Sequence, residues 1–142
     1  MEISNFRLES EEYEKILFIL SSLQQKSNAS SIFLINRNGQ QIAQEGVADG
    51  LDVQSLSSLA ASNLAATFGL ARLIGEREFE RVYHKGDKRS ILINPIGEYA
   101  FLLLLVEVNS ENHVDPKSLN QASLILGDIL RKSDERAKKA KG

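Results

Sequence analysis

The chain has no cysteine, no tryptophan and only two prolines in 142 residues. Without cysteine there is no disulfide framework, no thiol nucleophile and no thiolate metal site. The longest apolar run, residues 99–106, is far too short to cross a bilayer. The opening MEISNFRLESEEY is acidic and lacks a basic flank followed by an apolar stretch, so it does not read as a signal peptide. A cytoplasmic protein without membrane attachment is expected. The formal net charge of −2, with both signs interspersed, gives no electrostatic footprint for nucleic acid. Only the end departs from this. There Arg131, Lys132, Arg136, Lys138, Lys139 and Lys141 form a short basic tail with Asp134 and Glu135 mixed in, the composition of a solvated helix end.

The periodicity present is enough for one domain with a real core. A first helix is expected from Ser10 as cap, with Glu11 and Glu12 in its first turn and Ile16, Ile19, Leu20 and Leu23 on one stripe. Residues 31–36 read as a buried strand, Asn38-Gly39 as a tight turn and 41–45 as the return strand. Asp52 should cap a long second helix stapled by Leu51 and Leu56, running to about Ile74 with Gly75 as its stop. Strands follow at 79–84, at 90–94 and, after a break at Pro95 and Gly97, at 99–108, the most hydrophobic and hence central one. Asp115-Pro116 begins a last helix carrying Leu119, Ala122, Leu126 and Ile129, with fraying beyond about residue 138. The expectation is a single α+β domain over 1–142, ordered α-β-β-α-β-β-β-α, with helices packed on a five-stranded antiparallel sheet. Its core spans about 10–131 and a basic extension covers 132–142.

The second helix and its exit, LSSLAASNLAATFGLARLIGEREF at 56–79, is the most informative stretch. Leu56, Leu59, Leu70 and Leu73 read as a core stripe, while Ala61, Ala65 and Gly69 fall four apart on another face. Glycine inside a helix costs about 0.5–1 kcal/mol relative to alanine, which points to close approach by another backbone. That backbone belongs either to a partner or to the chain's own sheet. Chemistry of other kinds is poorly supported. His84 and His113 have no metal-ligand spacing, the turns near Gly39, Gly46 and Gly50 make no phosphate loop, and no nucleophile with a positioned base stands out. Arg72 and Arg77 raise the idea of an arginine finger, but helix-end arginines beside the negative dipole end are favoured. No catalytic residue, cofactor or metal is expected.

The segments FLINRNGQQIAQEG (33–46), SLSSLAASNLAATFGLARLIGE (55–76) and EFERVYHKG (78–86) stand in an order and spacing that resembles the Roadblock family of dynein light chains and bacterial GTPase regulators, in particular its MglB-like branch. The likeness spans about residues 10–131. It implies a homodimer whose second helices pair antiparallel and whose 79–84 strands join into one continuous sheet. The helix pair would form a platform for a small Ras-like, MglA-type GTPase. Such dimers stimulate GTP hydrolysis in control of cell polarity or motility, without catalytic residues of their own. On this reading Ala61, Ala65, Gly69 and Arg72 face the GTPase, and Leu64, Phe68, Ala71, Phe79, Val82 and Tyr83 form the dimer seam. Phe68 stands where the family pattern suggests a smaller residue. A Roadblock scaffold that docks a GTPase or another partner without activating it is the alternative. A small-molecule sensor is a second, disfavoured because the expected core holds no convergent polar groups.

Overall fold

The computed structural model describes residues 2–3, 5–107 and 114–141. Its elements are β1 (Glu2–Ile3), β2 (Phe6–Arg7), α1 (Ser10–Ser27), β3 (Ser31–Asn36), β4 (Gln41–Gly46), α2 (Val53–Leu73), β5 (Val82–His84), β6 (Arg89–Ile96), β7 (Ala100–Glu107) and α3 (Pro116–Lys141). The expected succession of helices and strands is present, preceded by a small hairpin that the sequence reading did not include. Five strands form one antiparallel sheet in the order β4-β3-β7-β6-β5. β7 is central and buried from Ala100 to Val106, because both of its faces are covered. Strand alternation divides the core in two. Ile32, Leu34, Leu102 and Leu104 join Leu20 and Leu126 beneath α1 and α3. Phe33, Ile35, Ile93, Phe101 and Leu103 join Ala60 and Leu64 beneath α2, which lies alone on the opposite face.

Local chemistry fixes the element ends. Ser10 is the first helical residue and Glu9 the cap, because the Glu9 amide finds its acceptor at Glu12 Oε1, 2.9 Å away. Asp52 does cap α2, accepting from the Ser55 amide at 3.1 Å, and Gly75 leaves the helix at a φ of 83°. Asp115 caps α3 through the Lys117 amide at 3.2 Å. The β3–β4 turn differs from the expected two-residue form. Asn36 Oδ1 accepts from the amides of Asn38 and Gln40, at 3.0 and 2.9 Å, and organises a longer loop. Gly39 alone in it takes a positive φ, and a Cβ there would approach Ser58 Cα on α2 to 2.9 Å. The hairpin tip therefore rests directly against the helix.

Three boundaries move. β6 runs through Pro95, which pairs with Phe101 on β7, while β5 reaches only as far as Ile93 in register. The missing proline donor thus falls where no neighbour needs it. β5 covers three residues, shorter than the expected 79–84, and is an edge strand with a ladder on one side only. Val108, expected to end the central strand, lies outside the described residues. The basic end is also more than a solvated extension: Ser133 and Ala137 are buried, and Arg136 pairs with Glu12 and donates to the Arg7 carbonyl at 3.1 Å. The core therefore continues past 131, closing over Phe6 and Leu8 of the N-terminal segment.

Candidate functional site

α2 docks on the sheet through Ser57, Ala60, Leu64 and Ala71, all buried, with Leu56, Ala61 and Phe68 partly buried beside them. This corrects the expected orientation. Leu59, Leu70 and Leu73 are 70%, 60% and 84% exposed, and Leu56 alone of that stripe reaches the core. The sheet beneath presents Phe33, Phe101 and Leu103, so small residues on the helix bring the two layers together. Leu64 and Ala71, assigned to a dimer seam, are 1% and 0% exposed. They lie inside the subunit and present nothing to a second chain.

Two stripes remain outside. Leu59, Ala66, Leu70 and Leu73 lie on the flank toward β5, for Asn63 on that flank meets His84 Nε2 of β5 at 3.2 Å. Ala65, Gly69 and Arg72 are exposed on the flank toward the β3–β4 hairpin, with Ala61 half-buried at its inner margin. A Cβ at Gly69 would meet no atom of the described residues within 4 Å, so this glycine serves no close packing on its own sheet.

Beyond Gly69 the second stripe opens into a cleft of about 830 Å³ lined by Arg37, Phe68, Arg72, Arg77, Glu78 and Glu98. The Arg37 guanidinium lies 4.6 Å above the Phe68 ring and donates to the Gly97 carbonyl, while its buried Nε–H has no acceptor among the described residues. Burial lowers the Arg37 pKa, opposed by the charges of Glu78 and Glu98. An arginine so placed remains a cation at neutral pH. Phe68 thus belongs to the floor of this cleft, which no sequence spacing links to Arg37. On β5, Val82 is half-buried beneath α2 while Tyr83 is 44% exposed on the opposite face. Phe79 is half-buried just outside the strand, and Arg77 is exposed at the cleft. His113 lies outside the described residues. Among those residues no three of His, Asp and Glu are grouped to hold a metal, and no helix is long and apolar enough to cross a membrane.

Against known proteins, the model of the Roadblock/LC7 domain matches residues 15–106. Among solved structures, Myxococcus xanthus MglB is 34% identical with a TM-score of 0.77, covering 83% of this chain and 96% of that one. The gliding protein MglB from Thermus thermophilus is 27% identical with a TM-score of 0.80, covering 93% and 99%. An MglB with a tetrameric arrangement is 27% identical with a TM-score of 0.82, covering 94% and 99%. No curated protein matches.

Proposed function

Since the chain belongs to the Roadblock/LC7 domain family, we propose that it is a homodimeric regulator of a small Ras-like, MglA-type GTPase, whose GTP hydrolysis it stimulates in control of cell polarity or motility. The observation that carries this reading is the outer surface of α2, which divides into two stripes of different character. The leucine stripe continues into the free edge of β5, so one two-fold contact covers both exposed leucines and unpaired strand amides. The dimer seam therefore comprises Leu59, Leu70, Leu73, Val82 and the backbone edge of Tyr83, with Phe79 at its margin, while Phe68 belongs to the cleft on the other flank. The small-residue stripe of Ala65 and Gly69, with Ala61 and Arg72, stays open for the GTPase. A flat, side-chain-poor strip admits another backbone closely, and the adjoining cleft offers charges of both signs to fix orientation.

Stimulation needs no catalytic group here. A regulator that binds one arrangement of the GTPase active site more tightly than the others raises the population of that arrangement. Single-turnover GTP hydrolysis by an MglA-type GTPase, with and without the protein, tests this. Acceleration is expected; binding without acceleration assigns a docking scaffold instead.

A further inference from the structure

We propose that the α3-facing side of β5 is a second docking site, which takes an extended acidic segment of a partner protein. Alternation along the edge strand sends Val82 and His84 toward α2, and Arg81, Tyr83 and Lys85 toward the other face. There they line a groove of about 430 Å³, floored by Leu92, Pro116 and Leu119. The lining holds two cations, an aromatic ring and apolar carbons, and no carboxylate among the described residues. Neutral amides hold Arg81 in place: its Nε donates to Asn94 Oδ1 at 3.0 Å and its Nη2 to Asn120 Oδ1 at 2.7 Å. Asn94 is itself fixed by donating to Ser123 Oγ at 2.7 Å. The guanidinium is therefore oriented without being neutralised, apart from the exposed Glu80 at 3.8 Å. Lys85 has no ion-pair partner among the described residues.

Arg81, Tyr83 and Lys85, on β5 and the residue at either side of it, succeed one another every second residue, a repeat of about 6.6 Å in extended chain. An extended polypeptide has the same repeat. Carboxylates four residues apart in such a segment meet the two cations, and an apolar residue midway meets Tyr83 and Leu119. Nucleic acid is disfavoured by the net charge of −2. A membrane surface is disfavoured because the groove's two leucines, Leu92 and Leu119, are buried and do not protrude. The groove exists in one subunit. If β5 also joins its copy, as proposed above, two grooves abut across the axis on the side opposite the GTPase platform, and the regulator holds two partners at once.

The test is an amide chemical-shift titration of the intact protein with the synthetic peptide Gly-Glu-Gly-Leu-Gly-Glu-Gly. Shifts are expected at residues 81–85 and 117–120. Lys85→Glu should weaken binding at least tenfold and Lys85→Gln by less, both with unchanged circular dichroism. The Ala65→Arg, Gly69→Arg variant of the GTPase platform should bind the peptide as the parent does, which separates this site from that reading. The proposal is overturned by shifts confined to α2, by equal binding to the Lys85→Glu protein, or by no binding. Equal binding of a peptide with lysines for glutamates also overturns it, as does displacement by oligothymidylate or phosphatidylserine vesicles.

Discussion

Replacing Leu59 and Leu70 together by alanine separates folding from assembly. Both side chains are outside the subunit core, 70% and 60% exposed. Each replacement removes about three methylene-sized groups at about 0.8 kcal/mol apiece, of which roughly two thirds count at an interface. That is about 1.5 kcal/mol per leucine, and a two-fold contact contains each residue twice. The dimer should therefore lose about 4–6 kcal/mol, or three to four orders of magnitude in dissociation constant at 1.4 kcal/mol per decade. The subunit itself should lose nothing, because alanine is the better helix former and no core contact is broken. Sedimentation equilibrium over a micromolar concentration series measures the first quantity and far-UV circular dichroism checks the second. A dissociation constant unchanged within threefold would refute the assignment of this stripe to the seam. A loss of helix signal would refute the orientation of α2.

Other outcomes follow from single positions. Val82→Pro removes an amide from β5 and crowds its edge, so light scattering should show a shift toward monomer or aggregate; an unchanged dimer would place the contact elsewhere. Gly69→Ala should raise subunit stability by about 0.5–1 kcal/mol in thermal denaturation, since a Cβ meets open space there, while weakening GTPase binding. Stabilisation with undiminished affinity would exclude close backbone approach at that point. Asp52 is held below the usual carboxylate range chiefly by the Ser55 hydroxyl and then by the Ser55 amide. Its stabilisation is complete above the unfolded value of about 3.9 and is lost as pH falls through the lower folded value. Asp52→Ala should therefore melt below the parent at pH 7, with the gap closing as the pH is taken well below 4. A gap independent of pH would contradict this.

The sheet, the caps at Asp52 and Asp115 and the central place of β7 were legible because they depend on local signals: strand-length apolar runs, side chains that accept from the first free amides, and a stretch buried on both faces. The orientation of α2 was not. Periodicity reveals that Leu59 and Leu70 share a flank with each other, and Ala65 with Gly69. Which flank meets the sheet depends on Phe33 and Phe101, whose bulk seats Ala60 in the same cluster. The same non-local cause hid the docked end of α3, where Arg136 reaches back to Arg7 and Glu12 from the far end of the chain. It also hid the cleft, whose floor joins a hairpin arginine to a helical phenylalanine. A local pattern that did carry information, Phe6 and Leu8 alternating around Arg7, was too short to read as a strand before its partners were known.

The most direct test of the platform is GTPase binding and single-turnover hydrolysis with the Ala65→Arg, Gly69→Arg protein. Both positions are exposed and make no core contact that arginine would break. The variant should remain folded and dimeric, yet bind an MglA-type GTPase at least a hundredfold more weakly and no longer accelerate hydrolysis, because bulk and unpaired charge enter a close contact. A folded, dimeric variant that binds and stimulates as the parent does would contradict the assignment of this face to the GTPase.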